Sequence, residues 1–171
     1  MGHFSCTNNK LQSLKGGPIY VDTHFNCSHN LLLSLKFGPT HVNYDYYCNN
    51  NRMRTLEGLN LKEVGSFNCD DNRLVSLNGS PNEIGGSFMC NGNNLRNLIG
   101  APKIIKGGFY CYRNPLPPII KRYQGDIVFM NYLIKYQDDY SIWNRNGTFN
   151  QSRFEDMKSE INEIINKKKK W

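Results

Sequence analysis

Apolar and polar positions repeat with a period of 21 residues over the first two thirds of this chain. In each period an aromatic residue precedes a cysteine by two positions. An asparagine follows the cysteine by three positions, and aliphatic residues or Met53 follow it by five and eight. The cysteines are Cys6, Cys27, Cys48, Cys69, Cys90 and Cys111, and the asparagines are Asn9, Asn30, Asn51, Asn72, Asn93 and Asn114. Such a period is typical of a solenoid, in which each turn buries its apolar side against its neighbours.

The spacing of the aromatic residue and the cysteine predicts one short β-strand per turn, because residues two apart point to the same side of a strand. The rest of each turn contains glycine and, in most turns, proline, so it is too short and too broken for a helix. We therefore expect a β-solenoid of six parallel strands with extended or 3₁₀ return limbs. The third turn departs from the pattern: Asn60 replaces the proline, and the closing aliphatic residue comes one position late, at Val64.

The asparagine in every turn predicts a column of side-chain amides that stabilises the bends. Buried backbone groups at a bend need hydrogen-bond partners, and an amide offers two donors and an acceptor. The cysteines predict small buried thiols. Stacked cysteines in register would have parallel Cα–Cβ bonds, which suit a disulfide poorly. The chain contains no CxxC pair, so the spacing does not favour a metal site. We expect no metal and no cofactor.

The repeat Phe-x-Cys-x-x-Asn-x-Leu-x-x-Leu resembles the leucine-rich-repeat consensus, in its shortest, cysteine-containing bacterial and viral form, as in phages. The resemblance covers residues 1 to about 119. It implies a curved solenoid whose strand-side face binds a protein, and it does not imply a catalytic activity.

The repeat ends at three closely spaced prolines, which divide the chain into a six-turn solenoid over residues 1–118 and an α-helical C-terminal cap over residues 119–171. In the cap, Ser152 and Glu155 have the spacing of a capping box that opens a helix. The first strand has no such cover. Because an open strand edge aggregates, we expect this edge or the tail to pair with a second copy or a partner.

Alternation along the strands places polar, tyrosine and methionine side chains on the outward face. Tyrosine and methionine among asparagine and serine are typical of protein-recognition surfaces, although a merely solvated sheet is the alternative interpretation. The candidate partner-binding residues are His24, Asn26, Asp45, Tyr47, Asn49, Asn68, Asp70, Met89, Asn91, Tyr110, Tyr112 and Arg113. Asp45, Asp70 and Asp71 predict an acidic patch within this face.

Charge makes nucleic acid the alternative partner. The chain carries 21 basic and 14 acidic residues, a net charge of +7, but neither the solenoid nor the tail forms the basic block that dominates nucleic-acid binders. A phosphate backbone would contact the edge beyond the asparagine and the terminal lysines. The residues for this alternative are Lys10, Arg52, Arg54, Arg73, Arg96 and Lys167–Lys170.

No segment has the length of a membrane span or the pattern of a secretory signal, so we expect a cytoplasmic protein, in the host cytoplasm if the chain is viral. Asp138, Asp139, Glu155 and Asp156 are the candidates for chemistry in the tail. They have no convergent base or nucleophile, so we expect no enzyme. The sequence favours a binding protein that, in a phage or virus, would block a host protein such as a defence factor.

Overall fold

A parallel sheet of six two-residue strands runs along one side of the chain. The structure is a computed structural model that describes residues 2–168. In register, each aromatic residue pairs with the aromatic residue of the next turn. The strands are β1 (Phe4–Ser5), β3 (Phe25–Asn26), β5 (Tyr46–Tyr47), β7 (Phe67–Asn68), β9 (Phe88–Met89) and β11 (Phe109–Tyr110). The predicted β-solenoid is confirmed.

The return limbs are extended, as predicted, and each of the five limbs adds a second two-residue strand. These strands are β2 (Tyr20–Val21), β4 (His41–Val42), β6 (Glu63–Val64), β8 (Glu83–Ile84) and β10 (Ile104–Ile105). They form two separate sheets, β2–β4 and β6–β8–β10. The second sheet of the solenoid is therefore interrupted between β4 and β6.

The interruption lies at the irregular third turn. Val64 pairs with Ile84, an offset of 20 residues, whereas Val21 pairs with Val42 at the regular offset of 21. The late Val64 puts one extra residue between β4 and β6. Pairing at the regular offset would set the buried Val42 beside the exposed Glu63, because a one-residue slip changes the side to which a side chain points. Gly65 N–H donates instead to Tyr44 O. A notch of about 740 Å³ opens beside the break, lined in part by His41, Asn60 and Glu63.

The core is one continuous apolar column. Neighbouring aromatic rings lie 4.8–5.7 Å apart between centroids, from Phe4 to Phe109. All six cysteines are free, and all but Cys6 are buried, which confirms them as core thiols. Burial raises the pKa of every one of these thiols, that of Cys111 to about 11. The thiols are therefore protonated at neutral pH.

The asparagine column bonds each turn to the one before it. Asn72 is representative: its Oδ1 accepts from Met53 N at 3.1 Å, and its Nδ2 donates to Cys48 O and Cys69 O at 3.1 and 3.2 Å. Asn30, Asn51, Asn93 and Asn114 repeat the arrangement. At every buried bend an amide thus forms hydrogen bonds with the backbone of two adjacent turns, as predicted.

The bend itself has left-handed backbone. The residue two positions after the cysteine has a positive φ in all six turns. The values are 51–56° at Asn8, His29, Asn50, Asp71 and Arg113 and 63° at Gly92. Asparagine, aspartate and glycine adopt this region most readily. The amide column therefore supports a sharply turned segment that side chains alone would favour only in some turns.

The tail covers the last turn with three helices, α1 (Pro118–Lys121), α2 (Ile127–Tyr136) and α3 (Gln151–Lys168). Gln124, between α1 and α2, donates from Nε2 to Cys111 O at 2.8 Å. That carbonyl lies where a seventh asparagine would donate, so the glutamine replaces the amide of a missing turn. Phe129, Met130 and Leu133 of α2 close the core.

The start of helix α3 and the first turn of the solenoid bear on two predictions about the ends. Helix α3 begins at Gln151, and Asn150 Oδ1 accepts from Arg153 N at 3.1 Å, so Asn150 takes the capping role predicted for Ser152. At the opposite end Phe4, Cys6 and Leu11 are only partly buried. Pairing of that end with a second copy stays a prediction.

Replacement of Asn72 by alanine tests the amide column. It leaves Met53 N–H buried without an acceptor and removes the shared donor of two carbonyls, so we expect a loss of about 3 kcal/mol in the free energy of unfolding. Urea denaturation measures it. Asn9→Ala is the matched control, because the exposed Asn9 amide bonds only within its own turn, and its loss should stay below about 1 kcal/mol. Equal losses would contradict the inter-turn role.

Alkylation of the native protein with iodoacetamide tests the thiol column. Burial blocks access of the reagent, so the five buried cysteines should stay unmodified at about pH 8. Cys6 is only partly buried and should react, more slowly than in the denatured chain because its pKa is also raised. Mass spectrometry of the peptides measures this, with the denatured chain as the fully reactive control. Rapid modification of Cys48 or Cys69 in the native protein would contradict the packing.

Candidate protein-binding face

All twelve predicted binding residues lie on the strands of the six-stranded sheet, directly before them or on the turn that follows them. Tyr112 and Arg113 are exposed, and the other ten are half-buried. The structure therefore brings the set to one face, which we call the strand face. Its two ends differ in chemistry, and the acidic residues are not free.

At the N-terminal end Asp45 is the centre of a hydrogen-bonded cluster. Its Oδ2 lies 3.2 Å from His24 Nδ1 and accepts from the Tyr47 hydroxyl at 3.0 Å, while its Oδ1 accepts from Ser66 N at 2.6 Å. Burial, and then the hydrogen bond to Asp45, raise the pKa of Tyr47. One carboxylate thus connects three successive turns, and little of it is left for a partner.

Asp70 has the same connecting role one turn further on. Its Oδ1 accepts from Asn91 N at 2.6 Å and its Oδ2 from Asn91 Nδ2 at 3.2 Å. Burial raises the pKa of Asp70, against the lowering effect of these bonds. Burial therefore has the larger effect on the pKa of this carboxyl.

Asp71 pairs with Arg113 at 3.0 Å, across the intervening turn. Gly92 lies between them, and a Cβ at that position would stand 2.2 Å from Asp71 Oδ1. The missing side chain of Gly92 is what allows the pair to form. The three carboxylates of the predicted acidic patch lie on the face, and each is engaged in bonds between turns.

The C-terminal end of the strand face is largely apolar, with Lys106, Ser87 and Asn131 among the residues that line it. A groove of about 620 Å³ lies between β11 and α2, with Tyr110 and Gly108 on the strand side and Ile127, Val128 and Tyr132 on the helix side. Val128 is 53% exposed. Asn131 Nδ2 donates to Gly107 O at 2.6 Å and fixes the helix against the sheet. A Cβ at Gly108 would approach the Tyr110 ring to 2.7 Å, so glycine keeps the floor of the groove open.

Sequence reasoning found Tyr110 and Tyr112 but missed Ile127, Val128 and Tyr132. The available indication was that α2 has more apolar residues than one buried stripe needs: Phe129, Met130, Leu133 and Ile134 form the buried stripe. Val128 and Tyr132 are four apart and lie outside that stripe. Their position beside β11 depends on the docking of the tail, which no repeat spacing gives.

The predicted basic residues and the acidic residues of the tail lie outside the strand face. Lys10, Arg52, Arg54, Arg73 and Arg96 are exposed on the edge beyond the asparagine column. Lys167 and Lys168 end α3, and Lys169 and Lys170 lie outside the described residues. In the tail, Glu155 pairs with Lys158 at 2.6 Å. Among residues 2–168 no three His, Cys, Asp or Glu side chains are grouped so that they could hold a metal ion.

The chain matches no protein-family model, no curated protein and no solved structure. Its 21-residue turns are compatible with a repeat fold. Within residues 2–168 no helix is long and apolar enough to cross a bilayer.

Replacement of Asp70 by asparagine tests the cost of its buried charge. The raised pKa means that the folded wild type loses stability as pH rises above 3.8, the ordinary value at which the unfolded carboxyl ionises. The variant cannot ionise there, so its free energy of unfolding should gain on that of the wild type as pH rises from below 3.8 to neutral. Urea denaturation over this range measures the difference. A difference that is constant with pH, or that moves the other way, would contradict the assignment.

Proposed function

We propose that the chain is a protein-binding module that holds its partner on the strand face, with the main contact at the C-terminal groove. The observation that carries the proposal is the group of exposed apolar and tyrosine side chains at that groove. Ile127 is 41% and Val128 53% exposed. Apolar and aromatic side chains clustered on a surface typically mark an interaction site.

The chemistry of the groove suits a protein side chain or a short extended segment. Tyr110 and Tyr132 offer an aromatic surface with a hydroxyl, and Gly107 and Gly108 add no side chain that would fill the groove. Ser87 Oγ accepts from Gly108 N, which leaves its own hydrogen free for an acceptor. A partner with an apolar anchor and a backbone carbonyl would satisfy this combination.

The bonds between turns add to the proposal by making the face rigid. Asp45, Asp70 and Asp71 hold their neighbours in place before any partner arrives. A surface that is already ordered loses less conformational entropy on binding. Most of the conformational entropy lost on binding is then lost by the partner.

The repeat type and the cysteines bear on the cellular setting in which such a module would act. The resemblance of the turns to leucine-rich repeats supports binding in place of catalysis, and six unbridged thiols are typical of the reducing cytoplasm. In the narrower form the chain, from a phage or virus, occupies a surface of a host protein and blocks it. This form depends on the resemblance alone.

Replacement of Val128 by glutamate tests the groove. A charge in an apolar contact must be desolvated on binding, so we expect the amount of partner retained by the immobilised chain to fall about tenfold. The readout is quantitative mass spectrometry of proteins captured from the native cell. Because Val128 is more than half exposed, the variant should fold as the wild type does.

The matched control is Ile104→Glu, which puts the same charge on an apolar residue that is 47% exposed on the return side. It should leave capture unchanged. Loss of the partner with Ile104→Glu and not with Val128→Glu would assign binding to the return sheet and reject the strand face.

A further inference from the structure

A row of arginines lies on the edge where the chain leaves the asparagine bend. We call it the arginine edge: the residues four and six positions after each cysteine, including Arg52 and Arg73 in one column and Arg54 and Arg96 in the other. All four are exposed. Arg73 N donates to Met53 O and Val75 N to Arg54 O, both at 2.9 Å, so neighbouring turns are bonded here too. Bonded turns stand about 4.8 Å apart.

None of these arginines has an acidic partner in the described chain. The ion pairs among residues 2–168 use other cations, and no side-chain hydrogen bond involves the four guanidinium groups. Arg52 and Arg73 occupy the same position in adjacent turns, so their like charges stand side by side, which costs free energy in the isolated chain. An anionic partner would remove that cost.

Exposed aliphatic residues alternate with the arginines. The column six positions after the cysteine reads Leu33, Arg54, Val75, Arg96 from the second turn to the fifth. Leu33 is 68% exposed and Val75 41%. The partner therefore needs apolar groups as well as negative charge, in alternation at about 4.8 Å per step.

An acidic amphipathic helix has this spacing. At 1.5 Å per residue, positions seven apart are separated by about 10.5 Å, and a residue three or four along falls midway. Arg54 and Arg96 are two turns apart, or about 9.6 Å, with Val75 midway. A helix that lies across the turns would present two carboxylates to the arginines and an apolar side chain to the valine.

We propose that the arginine edge binds an acidic amphipathic helix of a partner protein. This surface is separate from the strand face, and the inference does not depend on the groove. Nucleic acid fits the edge less well. Neither column contains an aromatic residue on which a base could stack, and the aliphatic residues would face phosphate.

The probe is a labelled helical peptide of about 18 residues with glutamates seven apart and leucines midway between them. Fluorescence anisotropy measures its affinity for the whole chain. We expect Arg54→Gln with Arg96→Gln to weaken binding about tenfold, and Leu33→Ser with Val75→Ser to weaken it about threefold. A scrambled peptide of the same composition should bind at least about tenfold more weakly than the ordered one.

The matched control is Lys62→Gln with Lys103→Gln, which removes the same charge from exposed positions on the return limbs and should change affinity less than about twofold. Val128→Glu should also leave peptide binding unchanged, which separates this inference from the groove. The proposal is overturned if the scrambled peptide binds equally well, if the lysine control weakens binding as much as the arginine variant does, or if single-stranded oligothymidine binds more tightly than the peptide through the same arginines.

Discussion

The hydrogen bonds of the asparagine amides between turns are the interaction on which the rest of the structure depends. Each turn is too short to bury its own bend, and the left-handed residues after each strand leave carbonyls without ladder partners. An amide that serves two turns at once solves both problems. Cys111 O shows how strict the requirement is, because the tail has to supply Gln124 where the repeat supplies no further asparagine. Stability is therefore a property of neighbouring pairs of turns.

The same bonding between turns decides where the surface can act. On the strand face the carboxylates that promised recognition are used to join turns, as Asp45 does with His24, Tyr47 and Ser66 N. The side chains that take no part in bonds between turns lie where the repeat stops or where the chain turns away from the sheet. The groove at Tyr110 and Val128 is the first of these places, and the edge at Arg54 and Arg96 is the second.

Residue spacing was sufficient for the parts of the fold that follow from which way a side chain points. The aromatic, cysteine and asparagine columns are of this kind, since a fixed period puts equivalent residues in register. Spacing could not predict the groove, because Val128 reaches it only through the docking of a non-repeating tail. Nor could it show that Asp71 would pair with Arg113, which depends on Gly92 having no side chain between them. Ser152 misled because Asn150, two residues earlier, offers an equally good cap.

The interrupted return sheet has a mechanical consequence. Between β4 and β6 the turns remain bonded on the strand side, where Tyr46 N donates to Ser66 O and Cys48 N to Asn68 O. On the return side the strand ladder stops. Beside the break the return side keeps the bond from Gly65 N to Tyr44 O but has no paired strands, so the stack bends most easily by widening that side. The late Val64 thus leaves a compliant seam between two stiffer segments of the solenoid.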